Sequence, residues 1–200
     1  MIVRCPGKIA HPTSPNYEII RKKEVLHLLS FRTKYFEGLA KHFYKVKIRN
    51  VNKETPDCVS IEFDITDELW PLFQFKQGQN ITIKSHLDEG RRTYSICSSP
   101  LENKLKVAVK RVPKGVFSSY ALEKLQPGDE LEIMQPAGSF FTELHPSHKK
   151  YYIFFAAGSG ITPIISIIKS VLAIEEHSTV ALVYGNKNLQ NIIFIEELEA

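Results

Sequence analysis

The run "RRTYSICSSP", Arg91 to Pro100, alternates as a β-strand does, yet its polar half is unusual for a strand built only to pack. Successive side chains of a strand point to opposite faces, so Arg92 and Tyr94 share one side while Ser95 points across. A guanidinium grips phosphate through paired hydrogen bonds. A tyrosine ring presents a flat face for stacking, and a serine hydroxyl donates or accepts at a ring nitrogen. Phosphate, ring and edge hydrogen bond are what a flavin nucleotide requires. Four residues alone are equally well read as a packing tyrosine beside a surface cation, so the reading rests on what surrounds them.

Outward from this run, residues 42–146 follow a period of two. "CVSIEFDI" places Val59, Ile61, Phe63 and Ile65 on one face and Ser60, Glu62 and Asp64 on the other. "NITIK" repeats the pattern with Ile81 and Ile83, "KLKVAVK" with Leu105, Val107 and Val109, and "DELEIMQP" with Leu131 and Ile133. Turn residues separate them at 76–78, 88–90 and 127–129. Short alternating strands at this spacing predict a small antiparallel barrel or sandwich. A helical insert, "VFSSYALEKL", interrupts it. The turn before that helix, Gly115, Val116, Phe117 and Ser118, offers free amides and a hydroxyl to a second phosphate. A simple cap by Ser118 or Ser119 is the alternative.

Near Lys150 the pattern changes. "YYIFFAA" is continuously apolar, as a parallel strand buried on both faces is. It runs through "GSGITP" into the helix "IISIIKSVLAIEE", a second apolar strand "TVALVYGN" and the start of another helix. This β-α-β-α order is the opening of an open α/β sheet. Two parallel strands cannot cover both their faces, so this region, 147–200, is expected to be the first half of a larger domain. Gly158, Ser159, Gly160, Thr162 and Pro163 stand between strand and helix, where small residues and free N–H groups favour a pyrophosphate. The loop is not GxGxxG, since Pro163 occupies the place of a third glycine, and "YGNK" rather than an acidic residue ends the second strand.

Composition narrows the classes. The formal charge of +4 is concentrated in residues 1–41, with eight basic against three acidic residues, and the remainder is near neutral. No basic, aromatic-interleaved stripe runs through the body, which argues against nucleic acid. The leader 1–41 reads as loop followed by a possible amphipathic helix carrying Leu28, Leu29, Phe36 and Leu39. Cys5, Cys58 and Cys97 form no CxxC pair, so no zinc or iron–sulfur loop is expected within the chain. The start lacks the apolar core of a secretory signal. The uncharged stretch 151–168 is broken by glycine and proline and reads as strand, loop and helix rather than a membrane span. A cytoplasmic protein is expected.

From about Phe43 onward the chain resembles the ferredoxin–NADP reductase superfamily, and most of all the reductase components of multicomponent oxygenases. The resemblance is carried by Arg92-Thr93-Tyr94-Ser95, "VKRVPKGVFSSYA", "AAGSGITP" and "VYGNKN", in that order. It implies a six-stranded antiparallel Greek-key barrel holding FAD, then an incomplete parallel α/β domain for NAD(P)H. Arg92 is implied to contact the FAD phosphates, Tyr94 to stack on the isoalloxazine, and Ser95 to hydrogen-bond near N5. Tyr94 and Ser95 are thus the residues placed at the chemistry, with Thr93 in the same motif. Val109 and Lys110 are implied to line the flavin through their backbone, and Gly115 to Ser118 to hold the pyrophosphate. Residues 158–163, with Asn186 and Lys187, are implied to meet NAD(P)H. Lys187, together with Lys169, leans the preference slightly towards NADPH. The function expected is electron transfer from NAD(P)H through FAD to an iron–sulfur protein or oxygenase component, the [2Fe–2S] cluster lying in a partner or further domain. The competing expectation is a non-catalytic flavin- or phosphate-binding regulatory module.

Overall fold

Strands β2 (Tyr44–Thr55), β3 (Cys58–Asp64), β4 (Asn80–Lys84), β5 (Arg91–Ser95), β6 (Leu105–Lys110) and β7 (Glu130–Ile133) form one antiparallel sheet. Its order is β5-β4-β7-β2-β3-β6. The computed structural model describes residues 2–3, 42–85, 87 and 90–199; the leader helix reading and Cys5 lie outside them. An isolated bridge between Ile96 and Val107 draws the two edge strands together, so the sheet curls on itself. The alternation read from the sequence supplies the interior: Val59, Ile61, Phe63, Ile81, Ile83, Leu105, Val107, Val109, Leu131 and Ile133 are all buried. Helix α1 (Val116–Glu123) plugs one end with Phe117, which has no exposed surface.

A three-stranded sheet follows, in the order β1 (Ile2–Val3), β9 (Thr179–Gly185), β8 (Tyr151–Ala157). β8 and β9 are parallel, as expected, whereas β1 pairs antiparallel with β9 through Ile2↔Ala181 and Val3↔Val180. A strand of two residues carries no legible period, and nothing in "MIVR" announces it. Helix α2 (Ile161–Ile174) covers one face of β8 and β9, and a short helix α3 (Ile195–Glu199) ends the described chain. The opposite face presents Tyr151, Ile153, Phe155 and Val183, all more than half exposed among the described residues. No helix among the described residues is long and apolar enough to cross a membrane.

Residues 43–199 fall within one compact unit. The outer side of β3 and β6 is part of the reason. Cys58 and Ala108, with Cys97, pack in one apolar cluster with Ile161, Ile164, Ile165 and Ile168 of α2. Ser60, read as solvent-facing, is therefore buried. Serines tie the same seam. Ser166 Oγ donates to the Ser98 carbonyl at 2.7 Å and accepts from the Gly78 N–H at 3.3 Å, while the Ser99 and Ser170 hydroxyls lie 2.8 Å apart. A charged belt adds to it: Lys106 meets Glu54 and Glu197, and Lys169 meets Glu102 and Glu197.

Candidate functional site

The curled sheet and the α2 loop face each other across a cleft of about 420 Å³. It is lined by Thr93, Tyr94 and Ser95 from β5, Lys110 from β6, and Ser159, Gly160, Thr162 and Pro163 from the glycine loop and α2. Two stretches far apart in the sequence thus share one cavity. The β4–β5 ladder sets the first of them, with Ile81 opposite Tyr94 and Ile83 opposite Arg92.

Arg92 and Tyr94 do lie on the same side, for both approach Phe117. The Tyr94 ring is 5.9 Å from it, tilted by 44°, and the Arg92 guanidinium is 5.8 Å from the ring centre. Arg92 Nη1 also donates to the Gly90 carbonyl at 3.1 Å. Burial pushes the Tyr94 phenol up, and the charge of Arg92 draws it partly back. Its hydroxyl therefore stays protonated at neutral pH. Thr93 lies on the opposite side, its Oγ1 3.2 Å from that of Thr82.

Val109 is fully buried in the barrel core, so only its backbone is available to a ligand. Lys110 reaches towards the glycine loop. A Cβ added to Gly158 would lie 3.9 Å from Lys110 Nζ, and nothing else within 4 Å. Asp57, in the β2–β3 turn, steadies that ammonium from 3.6 Å. Its carboxyl is pushed up by burial, but hydrogen bonds from Thr55 and Asn191 and the charge of Lys110 outweigh this and hold it below the ordinary value.

The 115–118 turn departs from expectation in one respect. Ser118 is buried, and its Oγ accepts from the Val112 N–H at 3.1 Å and reaches the Gly115 carbonyl at 3.3 Å. Neither it nor Ser119 caps α1: Gly115 is the N-cap, without a side-chain bond. The Ser118 hydroxyl thus braces its own loop. Val116 is exposed beside them and Phe117 is wholly internal.

In the glycine loop, Gly158 has φ +50°, and a Cβ on Gly160 would meet nothing within 4 Å. Bare backbone facing open space beside a lysine suits an anionic pyrophosphate. Thr162 Oγ1 donates to the Ser159 carbonyl at 3.0 Å. Pro163 sits in the first turn of α2, where a missing N–H costs nothing. Beyond β9, Lys187 is exposed. The Asn186 amide is enclosed beside Tyr184. Lys169 is not available to a 2′-phosphate, because Glu102 and Glu197 hold it. Sequence reasoning singled out neither Asp57, Arg111 nor Tyr184 as a site residue. Arg111 and Tyr184 stand inside "VKRVPKGVFSSYA" and "VYGNKN" without a local feature that sets them apart, and Asp57 reaches Lys110 only because β2 and β3 pair with β6 in one sheet.

The profile of the oxidoreductase FAD-binding domain matches residues 45–142, and that of the oxidoreductase NAD-binding domain matches residues 154–200. One subunit of the 1,2-phenylacetyl-CoA epoxidase of Escherichia coli (strain K12) is 39% identical over 158 residues, 78% of this chain and 44% of that protein. The ferredoxin reductase component of 3-ketosteroid-9-alpha-monooxygenase from Rhodococcus rhodochrous is 40% identical over 154 residues, 75% of this chain and 43% of that one. The chain spans less than half the length of these relatives. Among solved structures, phthalate dioxygenase reductase matches with a TM-score of 0.67 and 28% identity, over 79% of this chain and 48% of its own. Ferredoxin-NADP+ reductase from Plasmodium falciparum gives 0.67 and 26%, over 78% and 64%. With its curled six-stranded sheet, its glycine loop and both domain profiles in sequence, the chain belongs to the ferredoxin–NADP reductase superfamily.

Proposed function

We propose that the chain forms the flavin and nucleotide module of an oxidoreductase that passes electrons from NAD(P)H through FAD to an iron–sulfur centre. In this reading residues 42–146 hold FAD and residues 147–200 meet NAD(P)H. The observation that carries it is the single cleft shared by Thr93-Tyr94-Ser95 and by Ser159-Gly160-Thr162-Pro163. One of the two relatives named above belongs to an epoxidase and the other is a monooxygenase reductase component, which supports an oxygenase component or its iron–sulfur protein as the acceptor. The regulatory alternative draws no support from them. Buried free thiols at Cys58 and Cys97 suit a reducing, cytoplasmic compartment.

FAD, when bound, supplies the conversion of a two-electron hydride donor into single electrons. The chain's own residues bind, orient and exclude water. Arg92 and the 115–118 backbone take the phosphates, Tyr94 offers the stacking face, and Ser95 the hydrogen bond at the ring edge. Lys110 and the bare backbone of Gly158 and Gly160 receive the dinucleotide. Burial pushes the Cys97 thiol up, well outside the range of a reactive thiolate, so it packs rather than reacts.

The test is to purify the chain, titrate it with FAD and follow the flavin absorbance; a protein that cannot be made yellow ends this reading. Arg92→Ala is expected to weaken FAD by about 1.5–3 kcal/mol, the range of a hydrogen bond to a charged group. Unchanged affinity in that titration removes Arg92 from the site. Tyr94→Ala is expected to lose less affinity but to shift the flavin midpoint potential, since stacking goes while the phosphate grip stays. A spectrum and midpoint equal to the parent's assign Tyr94 to packing on Phe117 alone.

A further inference from the structure

Tyr184 is a half-buried residue of β9 that the proposed chemistry does not use. Its ring packs against the cluster under α2, beside Ala156 of β8 in the parallel ladder. A phenylalanine would fill that space as well. What the hydroxyl adds is a tie to the glycine loop: Tyr184 Oη donates to the Gly158 carbonyl at 2.8 Å. Burial pushes the phenol up, and the neighbouring Ile193 N–H and Asn186 side chain draw it partly back, so the donor keeps its proton at neutral pH. The acceptor is the first residue of the glycine loop, at φ +50°, and its carbonyl also takes the Ile161 N–H.

That bond has a stereochemical consequence. In a trans peptide the C=O and the next N–H point in opposite directions, and no cis peptide occurs among the described residues. Fixing the Gly158 carbonyl towards β9 therefore turns the Ser159 N–H away from β9, and Ser159 lines the cleft. Glycine has more backbone states than any other residue, so a Gly158 peptide held only by the Ile161 N–H of its own turn keeps more freedom to rotate. We propose that Tyr184 is a positioning residue of the glycine loop: its hydroxyl locks the Gly158–Ser159 peptide so that the Ser159 N–H is set to receive a dinucleotide pyrophosphate. This rests on the nucleotide reading of the loop given above. The gain is preorganisation, since the ordering of the loop no longer falls due when the ligand binds.

The experiment uses the full chain loaded with FAD, as parent and as Tyr184→Phe, which keeps the ring and removes only the hydroxyl. Calorimetric titration with NAD+ and with NADP+ is expected to show about five- to tenfold weaker binding of both, the size of one neutral hydrogen bond. Both fall together because the pyrophosphate is common to them. FAD content and the melting temperature are expected to match the parent, and hydrogen exchange at the Ser159 amide to quicken. Equal affinities in parent and variant overturn the inference while leaving the loop's nucleotide role intact. A parallel fall in FAD content and melting temperature also overturns it, assigning the hydroxyl to general stability. A parent that binds neither dinucleotide overturns the reading of the loop itself, and this inference with it.

Discussion

Replacement of Glu175 by Gln is expected to lower stability at neutral pH by about 3 kcal/mol and to remove Glu175's share of the loss of stability between pH 4.5 and 2. Glu175 follows the last turn of α2 and its side chain is fully buried. Burial alone pushes a carboxyl up. Here Ser178 Oγ at 2.7 Å, His148 Nδ1 at 2.7 Å, the His145 N–H at 3.2 Å and the Tyr152 hydroxyl at 3.0 Å outweigh it and hold Glu175 down at about 2. The Tyr152 phenol is correspondingly pushed up to about 12, by burial and then by its bond to Glu175. A carboxyl depressed in the folded state stabilises above its unfolded pKa, and that stability drains away as pH falls towards the folded value. A drop from 4.5 to about 2 corresponds to about 3 kcal/mol at 1.36 kcal/mol per unit. Glutamine has no charge to lose, so urea unfolding at several pH values from neutral down to about 3 is expected to show a much flatter acid limb for the variant. A parent and variant with the same acid slope sink the idea. The cluster also matters for the site, because it grips residues 145–150, the stretch that carries the chain from the curled sheet into β8.

Nothing in "LAIEEHST" announces that cluster. An acidic pair at the end of a helix reads as a solvated terminus, and apart from Ser178 its partners lie 23 to 30 residues back in the chain. The same limit explains the other misses. Ile61 and Ile83 were legible because a strand buried on one side writes its burial as a period of two. Ser60 was not, since the outer face of β3 packs into the second apolar cluster through Cys58, and that packing leaves no trace in β3 itself. The lysine at 169 looked available until the fold brought Glu102 and Glu197 to it. Ser118 looked like a ligand hydroxyl because local sequence cannot show that Val112 N–H lies 3.1 Å away. The roles proposed for Arg92, Tyr94, Ser95 and the 158–163 loop could be read from the sequence for the opposite reason: the chemistry proposed for them needs specific groups on specific elements. What the strand grammar could not supply was the second residue of each pair, Phe117 for Arg92 and Tyr94, Asp57 for Lys110, Tyr184 for Gly158.

Gly78→Ala is the substitution expected to cost most, about 4 kcal/mol from strain and crowding together, and to open the cleft as it does so. Gly78 has φ +85°, a region in which an alanine is strained by about 1–2 kcal/mol. Crowding adds to that, because the new Cβ would stand 2.0 Å from the Phe140 carbonyl oxygen and 3.1 Å from Ile167 Cδ1. Overpacking of this kind typically costs about 1–3 kcal/mol more. The Phe140 backbone is poorly placed to yield. Gln79 Nε2 holds the Gly138 carbonyl at 3.0 Å on one side, and Lys76 meets Glu143 at 2.9 Å on the other. The movable partner is α2, which meets Gly78 through Ile167 and through the bond from the Gly78 N–H to Ser166. Displacing α2 moves its first turn, and with it Thr162 and Pro163 at the cleft, away from β5. FAD binding, proposed above to draw on β5 and the 115–118 turn, is expected to suffer less than dinucleotide binding. Gly128→Ala separates the two causes: it has φ +94° but no atom within 4 Å of its added Cβ, so it carries the backbone strain without the crowding. Thermal unfolding and NADP+ titration of both variants decide the matter. If Gly128→Ala proves as damaging as Gly78→Ala, backbone strain is the whole effect and the contact with Phe140 does not hold the cleft in shape.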